Sequence, residues 1–189
     1  MTRKPRADAR RNREQLLAAA KAAFTEVGPD VTLEEIARRA EVGIGTLYRN
    51  FPTREAIVEA VYRREVQQLA DAAPRLLQSS PPAEALRAWM LMFIDYVATK
   101  RLIAPALSAV ANGSPDFYAS SSALIREAIR QLVERAKAEG AIRKDADSAD
   151  LIGALIGFAS VRSSPDWQAS ARRLIEILMD GLRAGRPPD

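Results

Sequence analysis

Apolar side chains recur along this chain at the three-and-four spacing of amphipathic helices, and no stretch shows the alternation of a strand. Leu16, Ala20, Ala23, Phe24 and Val27 share one face of a first helix predicted from about Ala9 to Val27, which Gly28 and Pro29 end. Thr32-Leu33-Glu34-Glu35 reads as a capping box: the Thr32 hydroxyl accepts from the Glu35 amide, and the Glu35 carboxylate returns to the Thr32 amide. A short second helix, to about Ala40, turns Leu33, Ile36, Ala37 and Ala40 toward the first. Glu41-Val42-Gly43 has the length of a turn between crossed helices, with Gly43 expected at the positive φ. From Ile44 to about Asn50 there is room for only two helical turns, too few to stand without tertiary support, and Leu47 and Phe51 are the anchors.

Thr53 is the expected N-cap of a long fourth helix to about Ala73, with Ala56, Ile57, Ala60, Val61 and Leu69 on its buried side. Ser79-Ser80-Pro81-Pro82 is the best linker candidate. Five further helical stretches are predicted, at about 82–100, 102–111, 115–139, 147–162 and 165–184. Ser114-Pro115 and Ser164-Pro165 each set an N-cap serine before a proline at the first helical position, and Gly113 and Gly140 act as stops. The expectation is an all-α chain of about nine helices in two domains, 8–70 and 71–186, the long fourth helix linking them.

The helix, turn and short helix between Thr32 and Phe51 meet the requirements of a DNA-reading helix-turn-helix: a support, a fixed turn and a small exposed face that enters the major groove. If Val42, Leu47 and Phe51 point inward, Ile44, Gly45, Thr46, Tyr48, Arg49 and Asn50 are left at or near the surface. Gly45 and Thr46 let backbone approach DNA closely. The Thr46 and Tyr48 hydroxyls and the Arg49 and Asn50 side chains can bond phosphates or base edges.

Charge strengthens this reading. Residues 1–21 hold seven basic groups against Asp8 and Glu14, a balance of +5, so of the chain's net +4 the remaining residues contribute −1. A localised basic end suits a polyanion, and Arg3, Lys4 and Arg6 are placed to reach an adjacent minor groove as a flexible arm. Cysteine and histidine are both absent, which removes disulfides, the usual zinc ligands and the common nucleophile–base pairs. No Gly-rich phosphate loop occurs. Asp145, Asp147 and Asp150 lack calcium-loop spacing and read as helix caps. An enzyme, a metal site and a cofactor are therefore not expected. Without a signal-like apolar segment or a run of about 18 apolar residues, the expectation is a cytoplasmic protein with no membrane partner.

The stretch from Thr32 to Phe51, followed by Pro52-Thr53-Arg54-Glu55-Ala56, resembles the DNA-binding domain of the TetR family. The Leu-Tyr-x-x-Phe ending, the upstream Phe24 and the x-x-Ile-Ala-x-x-Ala core match together, and the likeness covers about the first 70 residues. The family commonly carries histidine where Asn50 stands. The resemblance implies a homodimeric repressor released from double-stranded operator DNA by a small molecule, with a C-terminal ligand-binding and dimerisation domain whose last two helices form a four-helix interface. It implies backbone or phosphate contacts for Thr32, Tyr48, Asn50 and Arg54, and base-proximal roles for Ile44, Gly45, Thr46 and Arg49.

Trp89, Phe93 and Tyr96 fall on one face of the fifth helix, and with Phe117 they are the candidate lining of an effector pocket for a mostly apolar ligand. Trp89 and Tyr96 also bring a donor that such a ligand can satisfy. The final two helices have apolar stripes wide enough to serve a partner as well as the core. Leu151, Leu155, Leu174 and Leu178 are the candidate contacts, with Gly153 and Gly157 permitting close approach. The competing function is a small all-helical ligand-binding or carrier protein without DNA-binding activity.

Overall fold

The computed structural model describes residues 4–111, 115–160 and 166–183. They form eight helices: α1 (Lys4–Glu26), α2 (Leu33–Arg39), α3 (Ile44–Asn50), α4 (Arg54–Ser79), α5 (Pro82–Ala111), α6 (Pro115–Ala138), α7 (Ser148–Ser160) and α8 (Trp167–Leu182). Two compact units result. The first holds residues up to Glu65 together with Thr99–Phe117, and the second holds Val66–Ala98 and the chain from Tyr118 onward.

The all-α expectation holds, with eight helices among the described residues where nine were expected. The stretches predicted at 82–100 and 102–111 are one helix, α5, because buried Thr99, Ile103 and Leu107 carry a single stripe at four-residue spacing through the expected break. Helix α4 likewise passes Pro74, its expected end, and runs to Ser79. A proline inside a helix removes one backbone bond, and here its ring faces solvent while Leu69, Ala72 and Ala73 stay buried beside it. Helix α1 starts at Lys4 rather than Ala9, so the backbone expected as a flexible arm is helical from Lys4 on. Gly113, Ser114, Ser164 and Pro165 lie outside the described residues or their described side chains.

In the first unit, α1 buries Leu16, Leu17, Ala20, Ala23 and Phe24, although Val27, expected on that face, is 59% exposed beyond the end of the helix. Gly28 at φ 108 donates to the Phe24 carbonyl and closes α1 as a left-handed cap. The α2–α3 turn works differently from expectation. Gly43 has φ −67 and serves as the N-cap of α3, whereas Glu41 takes the left-handed conformation at φ 55. The amides of Glu41 and Val42 donate to the carbonyls of Arg38 and Ala37, which is the Schellman closure of α2 with a glutamate where glycine is usual. Gly140, at φ 68, makes the same closure on α6.

In the second unit Leu69, Leu86, Trp89, Met90, Ile94, Ile129, Leu132, Val133, Leu155 and Ile175 are buried to 2% exposure or less. The Asp147 carboxylate accepts from the Ala149 amide at 2.6 Å and so caps α7, while Asp145 pairs with Arg143. The Arg143 amide donates to the Leu182 carbonyl at 2.8 Å, tying the α6–α7 connection to the end of α8. Among the described residues no helix is long and apolar enough to cross a membrane.

Glu41 gives the first prediction. A side chain at φ 55 costs about 1 kcal/mol that glycine avoids, and an acidic group at a helix C-terminus opposes the dipole. Glu41→Gly is expected to raise stability by roughly 1 kcal/mol in denaturant titration. An unchanged or lower midpoint would remove the strain assigned to this turn.

Candidate nucleic-acid interface

The supporting helix is set first. The Thr32 hydroxyl accepts from the Glu35 amide at 3.2 Å, as the capping pattern requires. The reciprocal half is not formed in that way, because the Glu35 carboxylate is taken by Arg38 at 2.7 Å and by Arg39 at 2.8 Å. Hydrogen bonds from these two guanidiniums hold the Glu35 carboxyl down at about 2, so it is ionised at any working pH. Arg39 also reaches Glu26 at the end of α1. Thr32 stays exposed, and its hydroxyl hydrogen remains able to donate outward.

Helix α3 rests on that support. The Gly43 carbonyl accepts from Thr46 and Leu47, while Leu47 and Phe51 are buried to 0% and 1%. With those two inside, the opposite face is left out: Ile44 is 38% and Tyr48 45% exposed, Gly45 and Arg49 are exposed, and Thr46 and Asn50 are half-buried. Val42, expected inside, is half-buried. The polar groups of this face lie along their own helix. Arg49 donates to the Gly45 carbonyl at 3.1 Å and to the Thr46 hydroxyl at 3.0 Å, and Asn50 donates from Nδ2 to the Thr46 carbonyl at 2.8 Å. Arg49 keeps further guanidinium hydrogens, and Asn50 keeps one amide hydrogen for an outside acceptor.

Gly45 is informative because the protein itself gives no reason for it. Its φ is ordinary, and a methyl group there would meet nothing within 4 Å. Gly45 is the second residue of α3, in its first turn, where glycine weakens the helix less than it does in an interior. The position is exposed and open on its outer side.

Arg54, expected at a phosphate, is engaged within the chain. Its guanidinium donates to the carbonyls of Val31, at 2.6 Å, and Pro29, and lies 5.9 Å from the Phe24 ring centroid. Half-buried and bonded in this way, it fastens the α1–α2 connection to the start of α4. Arg3 lies outside the described residues, as do the side chains of Lys4 and Arg6. Arg13, read in the sequence only as one basic group among seven, lies over Phe51 with its guanidinium carbon 4.4 Å from the ring centroid.

Residues 16–61 match the family described as bacterial regulatory proteins, tetR family, and residues 81–184, more than half of the chain, match the SbtR-like transcriptional regulator C-terminal domain. A TetR transcriptional regulator of Streptomyces coelicolor is 51% identical, with a TM-score of 0.83 over 92% of this chain and 99% of that one. The chain belongs to the TetR family of transcriptional regulators. A TetR regulatory protein of Mycobacterium vanbaalenii is 32% identical, with a TM-score of 0.72 over 94% of this chain and 98% of that one. The transcriptional regulator BetI of Escherichia coli is 38% identical over 76 residues, a match spanning 40% of this chain and 39% of that relative. Membership makes this protein a DNA-binding transcriptional regulator of a non-enzymatic family.

The residues expected at a pocket in the regulatory half of this TetR-family chain belong to two units. Trp89, Phe93 and Tyr96 do meet, with successive centroids 5.9 and 5.7 Å apart. All three are buried, and the Trp89 indole donates to the Leu69 carbonyl at 2.8 Å, so the donor reserved for a ligand is already used by the backbone. Phe117 belongs to the other unit and stacks on Tyr62 at 5.5 Å. A groove of about 340 Å³ that the sequence did not suggest lies on α6 and the start of α7, lined by Ala123, Arg126, Glu127, Ile129, Arg130, Ser148 and Ala149.

The residues expected at the dimer contact also divide. Leu151 and Leu155 are 5% and 0% exposed in the single chain, so their surface is already covered by their own core. Leu174 and Leu178 are half-buried. Among the described residues of these helices, the large apolar side chains left exposed are Ile156, at 52%, and Ile177, at 67%, flanked by exposed Gly153, Gly157 and Gly181. The signal for Ile177 was present, since positions 174, 177, 178 and 181 form a second stripe beside the core-facing one at 171, 175, 179 and 182.

Gly45 tests the reading face. Gly45→Ala should leave stability unchanged or raise it by a few tenths of a kcal/mol, about what a first-turn position allows, and should weaken duplex-DNA binding if this face lies against DNA. Thermal melts and DNA titration of the same sample measure both. A variant with unchanged DNA affinity would show that this face does not meet DNA closely.

Proposed function

We propose that this TetR-family regulator is a repressor: a homodimer that holds operator DNA through α3 and is released by a small, mostly apolar molecule bound in the helical half, acting in the cytoplasm. The observation that carries the DNA side is the bare, exposed face of α3 around Gly45, Thr46, Tyr48 and Arg49, set on a rigid support by Leu47 and Phe51. On this reading Thr46, Tyr48 and Arg49 meet the groove and its flanking phosphates, Ile44 and Gly45 lie against base edges, and Thr32 and Asn50 donate to phosphates. Arg3, Lys4 and Arg6 add attraction for the backbone. Arg54 acts from inside, through the α1–α2 connection that it holds.

The dimer is proposed at the exposed apolar strip of α7 and α8, with Ile156 and Ile177 at its centre, Leu174 and Leu178 at its margin, and the glycines allowing close helix approach. Charging both isoleucines leaves the monomer core untouched. The double variant Ile156→Glu, Ile177→Glu is expected to sediment as a folded monomer where the parent sediments as a dimer. A variant that remains dimeric would move the interface elsewhere.

The proposed signal travels along α4, which begins in the first unit and ends in the second. A two-headed dimer must fit two half-sites together, so a shift in either head penalises both. The ligand can act only through its preference for the released form, typically about 1–3 kcal/mol of coupling, and the coupling is reciprocal. Selection from a random duplex pool should enrich one sequence; enrichment of none would leave the carrier reading. Compounds that release the selected duplex should in turn bind the free protein more tightly than the complex, by the same factor. Equal affinities for the two forms would remove the release mechanism, and tighter binding to the complex would make the compound a corepressor.

A further inference from the structure

Arg13 stands on α1, three residues ahead of buried Leu16 and on the same side of the helix. Its contacts lie 37 and 38 residues further on, at the far end of the recognition helix. The guanidinium carbon is 4.4 Å from the centroid of the Phe51 ring, and Nη1 donates to the Asn50 carbonyl at a long 3.4 Å. Asn50 is the last residue of α3 and Phe51 its C-cap. Both contacts therefore fall where helical carbonyls run out of partners and partial negative charge collects. A guanidinium answers both needs at once, as a cation for the helix end and a flat face for the ring. Asn50 is held from the other side too, since its amide donates to the Thr46 carbonyl one turn back.

We propose that Arg13 is a positioning residue for operator recognition: a clamp, supplied from α1, that fixes the C-terminal turn of α3 and with it the presentation of Thr46, Tyr48 and Arg49. The proposal rests on the reading of this chain as an operator-binding regulator. A seven-residue helix depends on its neighbours for orientation as well as for existence. Leu47 and Phe51 fix its depth. The guanidinium over Phe51 secures the turn against fraying, and a frayed turn lowers discrimination between sequences more than it lowers general attraction for phosphate. A direct phosphate contact by Arg13 is the competing role, and it makes the opposite forecasts.

The experiment uses the full chain, the duplex recovered from a random pool with the parent protein, and a scrambled duplex of equal length. Arg13→Met is expected to bind the selected duplex roughly fivefold more weakly, with a smaller loss on the scrambled one and faster amide exchange at Tyr48–Phe51. Arg13→Lys keeps the charge but loses the planar face, so it should not restore selected-duplex affinity; it also carries the test if Arg13→Met does not fold. In a Phe51→Leu background, Arg13→Met should have little further effect, because the platform is already gone. The clamp is overturned if Arg13→Lys binds as the parent does. It is equally overturned if Arg13→Met affects both duplexes alike, lowers the salt slope by about 0.9 and adds fully to Phe51→Leu, which is the signature of a phosphate contact. A parent protein that enriches no duplex removes the DNA-binding reading itself, whereas a parent that binds and an Arg13→Met variant that matches it removes the clamp alone.

Discussion

The burial of Leu47 and Phe51 is the contact on which the reading head depends. Helix α3 has seven residues, far fewer than an isolated helix needs in water, and its N-cap is a glycine that offers no side-chain bond. Its existence is paid for by tertiary packing. Because these two side chains point inward, Ile44, Gly45, Tyr48 and Arg49 must point outward, so one packing choice sets both the stability and the chemistry of the face. The same geometry explains why the outward face tolerates a helix-weakening glycine: its stability comes from the other side.

Charged groups orient this head more than they stabilise it. The Glu35 pairs with Arg38 and Arg39 are near the surface, where ion pairs contribute little and salt screens them, but they fix α2 against the end of α1 through Glu26. Arg54 bonds backbone carbonyls of the α1–α2 connection from the start of α4. Lys21 of α1 pairs with Glu65 of α4, a carboxylate only 7% exposed whose second oxygen has no hydrogen-bond partner. Such a group holds its partner firmly, since loss of the lysine would leave a buried charge uncompensated. Helix α1 is thus joined by charge to α2 and to α4, and by Arg13 to the end of α3.

The second unit distributes its apolar surface between core and exterior along single helices. On α8 the stripe at Ala171, Ile175, Met179 and Leu182 is buried, and the neighbouring one at Leu174, Ile177 and Leu178 is wholly or partly open. The aromatic side chains of α5 belong to the buried share of this unit. Trp89 is fully buried, and its one donor ends on a backbone carbonyl.

Helical periodicity, caps and the motif from Thr32 to Phe51 were sufficient in the sequence alone to indicate an all-α chain, its reading helix and the inward pair Leu47 and Phe51, because all of these depend on neighbours within a few residues. Exposure of Gly45, Tyr48 and Arg49 followed from the same spacing. What the tertiary structure decided were matters of competition between distant partners. Glu41, not Gly43, takes the left-handed turn, because the hydrogen bonds that close α2 select the position before the residue type has a say. Helix α4 continues through Pro74 because buried neighbours outweigh one missing bond, and α5 continues past Lys100 on the buried stripe of Thr99, Ile103 and Leu107. Arg54 turns inward, Arg13 finds Phe51, and Leu155 is covered while Ile177 is not, since long side chains and two-sided stripes have several local options and only packing against remote segments chooses among them.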